Sequence, residues 1–122
     1  MKYKLTENTI QHDGRTLYQI QRLSNGELGG YIESEKNLSQ EGSCWVSGNA
    51  VVCGNARVSS YAQVYGYVWV SGNAKVSGNA QVYGNAMVYG NAVVYGNARL
   101  NTGEFEAGDI EIQQEPLIES ET

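Results

Sequence analysis

The sequence predicts an all-β chain, a parallel β-helix wound as a triangular solenoid of about four coils. Three observations predict it. Aliphatic residues recur every six positions, at Val46, Val52, Val58, Val64, Val70, Val76, Val82, Val88, Val94 and Leu100. Four places after each valine stands a small apolar residue: Ala50, Ala56, Ala62, Val68, Ala74, Ala80, Ala86, Ala92 and Ala98. Between the two lies Gly-Asn in most repeats. A period of six fits neither a strand nor a helix. It reads as a short strand, a tight turn at which Gly or Asn tolerates positive φ, and another short strand. The valine points inward, and the small residue points inward again near the corner. Three such units close a coil, and coils stack at about 4.8 Å.

The same frame extends backwards through LGGYIE (28–33), SEKNLS (34–39) and QEGSCW (40–45). There Ile32, Leu38 and Cys44 fall at the small apolar position. The reading gives thirteen hexapeptides, from Leu28 to Phe105. Residues 1–27 are expected to cap one end of the stack. Thr9-Ile10-Gln11 and Arg15 to Ile20 alternate in character about His12-Asp13-Gly14, a hairpin signal. Residues 106–122 are expected to form an acidic tail. Within it, Asp109-Ile110-Glu111-Ile112 alternates like an edge strand or cap.

The formal charge of −5 is unevenly placed. From Val46 to Gly103 there is no acidic residue, whereas seven acidic and no basic residues follow from Glu104 onward. Net acidity argues against non-specific nucleic-acid binding. No stretch is long and apolar enough to span a bilayer, and MKYKLTENTI lacks the apolar core of a signal peptide, so a cytoplasmic location is expected. Cys44 is expected to face inward and Cys53 outward, with no disulfide and no zinc site.

Residues eighteen apart should stack, which turns the sequence into three outer faces. The first carries Glu33, Val51, Trp69, Met87 and Phe105, beside Glu35, Cys53, Ser71 and Tyr89. Val51, Trp69, Met87, Tyr89 and Phe105 form an apolar strip of the kind that marks an interface. Cover by the tail, through Ile110, Ile112, Leu117 and Ile118, is the alternative. The second face carries Ser39, Arg57, Lys75 and Val93, beside Glu41, Ser59, Ser77 and Tyr95. Stacked Arg57 and Lys75 repel each other, and an anion would relieve them. Arg57, Lys75, Ser59, Ser77 and Tyr95 are therefore an anion or ligand site candidate. The third face carries Trp45, Gln63, Gln81 and Arg99, beside Gly29, Ser47, Tyr65, Tyr83 and Asn101. Trp45, Tyr65, Tyr83 and Arg99 are a candidate platform for a planar ligand. One corner should stack Asn37, Asn55, Asn73 and Asn91 into a structural ladder.

On these residues the chain resembles the hexapeptide-repeat proteins of the left-handed β-helix family. LGGYIESEKNLSQEGSCWVSGNA (28–50) further resembles the start of a group of poorly characterised enterobacterial and phage-borne hexapeptide proteins. The resemblance implies the left hand. It also raises the acyltransferase activity of many such proteins, which use a histidine base and bind coenzyme A between subunits. The lone histidine here, His12, lies in the hairpin turn, and the coils supply no group that titrates near neutrality. No catalytic residue, metal site or cofactor is therefore assigned. The expected function is a non-enzymatic, self-associating binding protein, a homo-oligomer of two or three chains. The phage-borne resemblance suggests a counter-defence inhibitor that binds a host immune protein or sequesters a small nucleotide signal. The alternatives are an acyltransferase-like enzyme borrowing His12 from a neighbouring chain, and a purely structural stacking module.

Overall fold

The computed structural model describes residues 1–111 and is all-β, with no α-helix among them. A hairpin of β1 (Tyr3–His12) and β2 (Arg15–Arg22) leads into β3 (Leu28–Ile32). Twelve strands of two residues each follow, every one a rung of a parallel ladder. The three ladders are the faces of a solenoid of about four coils. One runs Tyr31-Ile32, Val51-Val52, Trp69-Val70, Met87-Val88, Glu104-Phe105. The second runs Arg57-Val58, Lys75-Val76, Val93-Val94, Asp109-Ile110. The third runs Trp45-Val46, Gln63-Val64, Gln81-Val82, Arg99-Leu100.

The inward valines and the corner alanines are sealed from water and make one core along the axis. Neither residue type alone fills a coil. Stacking gives each valine neighbours above and below, at about 1.5–3 kcal/mol per fully buried side chain. Each regular corner is a tight turn in which the alanine N–H returns to the carbonyl three residues back, as Ala74 to Ser71 at 3.3 Å. The glycine in it has positive φ, as at Gly72 (φ 66). A Cβ on Gly72 would stand 2.8 Å from the backbone nitrogen of Gly90, the glycine of the next coil, so these corners stack without room for a side chain.

The period of six fails at both ends. Ile32 pairs with Val52 and Leu38 with Val58, twenty residues on. Both therefore hold the valine position and not the alanine position expected of them. Cys44 is correctly placed, buried above Ala62, since Trp45 pairs with Gln63. The turn Ser39-Gln-Glu-Gly-Ser43 absorbs the two extra residues. At the other end Glu104 pairs with Met87, seventeen residues away, and Asp109 with Val93, sixteen away. The turns at 101–103 and 106–108 are each one residue short and have lost the inward corner position, so Ala107 is exposed. Leu100, Phe105 and Ile110 consequently follow one another at a spacing of five as the last inward residues among those described. The solenoid thus extends at least to Ile110, past the expected boundary at Phe105, and Asp109–Ile110 is the lowest rung among the described residues.

The hairpin closes the first end. Tyr3 and Ile20 are fully buried against the core. The Tyr3 hydroxyl donates to the carbonyl of Leu38, while Gln40 Oε1 accepts from the backbone N–H of Lys2 (2.7 Å) and of Tyr3 (3.1 Å). Gly29 and Gly30 pass over the core so closely that a Cβ would meet the carbonyls of Val46 and Ala50 at 2.6 and 2.7 Å. Of the tail, Ile110 is a core rung, and Ile112, Leu117 and Ile118 lie outside the described residues.

Candidate functional site

The hairpin does more than close the stack. Its turn has Asp13 at φ 54 and Gly14 at φ 77, the pair of positive φ values that suits a two-residue connection. Register shifts interrupt the pairing of β1 with β2 between Leu5 and Thr9, and that of β2 with β3 between Gln19 and Gln21. Irregularities of this kind bend and twist a ribbon. Here they accompany a hairpin whose tip lies across the outside of the first face. Leu17 is buried there against Val51 and Cys53, with Ile10 and Tyr31 beside them. Glu33 ties the tip down, accepting from the Gly54 N–H at 2.7 Å and from Arg15 Nη1 at 2.8 Å. The Gly54 N–H first, and Arg15 after it, hold the Glu33 carboxyl below the usual carboxylate range.

Beyond the tip, none of the other described residues covers the first face. The His12 ring meets Trp69 edge to face, with centroids 4.3 Å apart. Trp69 is 43% exposed. A groove of about 370 Å³ runs from His12, Asp13 and Arg15 over Trp69 and Met87 to Tyr89 and Glu104. The Tyr89 hydroxyl donates to Glu104 at 3.3 Å, and desolvation together with Glu104 raises its pKa. The Cys53 thiol lies in the groove wall, and burial pushes its pKa up, so it is a poor nucleophile.

Three parts of the expected first face are corrected here. Val51 stands above Trp69 as expected, but the chain's own hairpin buries it. Phe105 is inward beneath Val88, and the missing corner residue at 101–103 puts Glu104 under Met87 instead. Tyr31, not Glu33, is the rung above Val51. Trp69, Met87 and Tyr89 remain on the open part. Asp13, Arg15 and Glu104 were not singled out from the sequence. The Asp-Gly turn gave the hairpin, but its pairing shifts leave no comparable signal. The absent alanine after Asn101-Thr102-Gly103 was the one available sign of Glu104.

The second face assembles largely as expected. Arg57, Lys75 and Val93 are successive rungs, with Asp109 below them. Ser59, Ser77 and Tyr95 follow the paired residues Val58, Val76 and Val94 and form the neighbouring ladder. Ser39 lies above Ser59, since Leu38 bridges Val58, and not above Arg57 as expected. A groove of about 450 Å³ occupies the upper part of this face.

On the third face Tyr65 and Tyr83 stack at 5.2 Å with planes 8° apart, and Gln81 pairs with Arg99 below. Trp45 does not join them as a platform. It is 4% exposed, with the Arg22 guanidinium 4.1 Å from its ring centre and Tyr3 against its edge. At the asparagine corner Asn55 donates to Asn73 (3.2 Å) and Asn73 to Asn91 (3.4 Å). Lys36 Nζ heads this ladder, bonded to Asn55 Oδ1 at 2.9 Å. Asn37 is turned inward and fully buried, with its amide spent on the carbonyls of Gly54 and Ala56.

The regular part of the coil carries the recognisable signal. Residues 80–96 match the family model described as YdcK Beta solenoid repeat. The match covers the Val82, Val88 and Val94 rungs and supports the solenoid repeat. No curated protein and no solved structure matches the chain. No helix of the described residues is long and apolar enough to cross a membrane. Among the same residues no group of three or more His, Cys, Asp or Glu is placed to hold a metal ion.

Proposed function

We propose that the chain is a non-enzymatic binding protein whose working surface is the groove between the hairpin tip and the first face. One observation carries this reading: Trp69 stays open to solvent on a stacked β-face, steadied by His12 and flanked by Met87 and Tyr89. Exposed aromatics on rigid elements are favoured anchors, because little side-chain freedom is lost on binding. The open strip is bounded by the hairpin above and by Glu104 below. That outline suits a short segment of a partner, with an apolar side chain over Trp69 and basic groups near Asp13 and Glu104. A host protein bound by a phage counter-defence inhibitor is a more particular form of this reading. It rests on the resemblance of residues 28–50 alone.

The test is selection from a random linear peptide library on immobilised protein, with Trp69→Glu as the counter-target. Enrichment of peptides that bind the wild type and not the variant is expected. Equal recovery on both sinks the reading. Light scattering of the same pair separates out self-association: an oligomer that Trp69→Glu reduces to a monomer makes the partner a second copy.

A second reading is favoured by one finding. His12 lies on the groove of its own chain, beside Asp13, rather than away from the coils. As an acyltransferase-like base it would act there. Unchanged turnover of an acyl-coenzyme A thioester in His12→Ala removes that alternative.

A further inference from the structure

The second face belongs to a different side of the prism from the Trp69 groove. Arg57 and Lys75 hold the same outward position on adjacent rungs, which lie about 4.8 Å apart. Both are exposed, and among the described residues neither side chain has a hydrogen-bond or ion-pair partner. Like charges so placed are unfavourable. Equivalent positions on the other two faces hold uncharged pairs, Gln63 over Gln81 and Trp69 over Met87. The cations also stand in a concavity rather than on a flat sheet. Residues of the turn from Glu35 to Gln40 line a groove of about 450 Å³ together with them.

The chemistry along this face is ordered. At the top, Arg57 and Lys75 face the groove, with Lys36 at its rim bonded to Asn55, against one carboxylate, Glu35, which accepts from Gln40 at 3.5 Å. Beside the cations run the hydroxyls of Ser39, Ser59 and Ser77. Just below them come Val93, at the lower edge of the groove, and Tyr95, continuing the serine ladder. Asp109 ends the series, two rungs beneath Lys75 and so about 10 Å from it.

The geometry points to a binding site for a nucleoside phosphate on this face. The phosphate sits at Arg57 and Lys75, where guanidinium, ammonium and serine hydroxyls all donate to its oxygens. The planar ring lies over Val93 and Tyr95, and Asp109 accepts from an amino or hydroxyl group at the far end. The interval from Lys75 to Asp109 suits the length of a nucleoside monophosphate; the groove receives its phosphate end, and the ring runs out of it over Val93 toward Tyr95. No bond is made or broken; the site holds its ligand.

Isothermal titration with adenosine 5′-monophosphate tests the site, with inorganic phosphate and adenosine as the two halves of the probe. Saturable binding of the nucleotide is expected, with each half at least about tenfold weaker. Arg57→Ala with Lys75→Ala should cost at least about tenfold in affinity, and high salt should weaken binding. Thermal melts that match the wild type show that the double variant is folded. Asp109→Asn should weaken the nucleotide and leave phosphate unchanged. Three results overturn the proposal: no saturable binding of any ribonucleoside monophosphate at millimolar concentration, undiminished binding by the folded double variant, or phosphate binding as tight as nucleotide. Carbodiimide coupling of Lys75 to Glu115, Glu119 or Glu121 within one chain, without nucleotide binding, also overturns it, in favour of an internal carboxylate. The peptide selection on Trp69 is independent of all these outcomes, so either site can fail alone.

Discussion

Between Val46 and Leu100 each coil repeats the one above it, whereas the coils at either end differ from it and from each other. The regular stretch has valine rungs, alanine corners and glycines in tight stacks. The ends have a twenty-residue coil under a bent hairpin, and a foot in which the rungs close to seventeen and then sixteen residues. The hairpin-tip groove draws one wall from the cap and its lower boundary from the shortened foot. The second-face groove is walled by the Glu35–Gln40 turn of the widened first coil. Regularity makes the scaffold, and departures from it make concavities.

The sharpest way to break this contrast is a charge in the core. Val76→Asp buries an unpaired carboxylate with coils on both sides, and loss of the cooperative thermal transition is expected, at about 4 kcal/mol or more. Ile110→Asp places the same group on the half-buried final rung and should fray only that rung, at about 1 kcal/mol or less. Equal effects of the two would mean that the foot folds as one unit with the middle. Glycines give the next largest difference. Gly72→Ala meets the Gly90 backbone and should cost about 2–3 kcal/mol in chemical denaturation. Gly14→Ala, at φ 77 with nothing within 4 Å, should cost about 1 kcal/mol.

Two smaller effects concern the cap alone. Burial, with Glu35 and Cys44 adding to it, holds the Tyr3 phenol well above the ordinary tyrosine value of 10.0. A proton bound more tightly in the folded state stabilises fully below the unfolded pKa. That contribution should start to fall above about pH 10 and be lost as pH rises toward the folded value. Tyr3→Phe should cost about 1 kcal/mol at neutral pH and flatten this alkaline loss, as followed by circular dichroism. Glu33 works in the opposite sense. Its carboxyl is held below the usual range, so its contribution is present at neutral pH and lost as pH falls through the folded value. Acid, or Glu33→Gln at neutral pH, should loosen the hairpin tip by less than about 1 kcal/mol, because Arg15 and Glu33 are both partly exposed. Faster amide exchange at Gly54, with Val76 unchanged, is the expected record.

Wherever six-residue spacing holds, one register fixes every neighbour, and so the pairs Arg57 over Lys75, Trp69 over Met87 and Tyr65 over Tyr83 were all legible. A single deletion rotates everything after it onto another face, as a one-residue slip does in any strand. Phe105 and Glu104 exchanged roles for that reason. Two extra residues at 39–43 likewise moved Ile32 and Leu38 to the valine position, and with them Asn37 left the asparagine ladder. The burial of Val51 and Trp45 had no periodic signal at all. It depends on where a bent hairpin comes to rest, a long-range contact that no local spacing encodes.

The narrowing foot has one more consequence. A uniform stack of this kind offers its last coil as a template, and a second molecule laid beneath it would continue the column without limit. Here the lowest rungs enclose a smaller perimeter than the twenty-residue coil at the other end, and the antiparallel hairpin occupies that other end. Among the described residues the top and the lowest rungs do not match in circumference or strand direction, so shape disfavours stacking one copy directly on another.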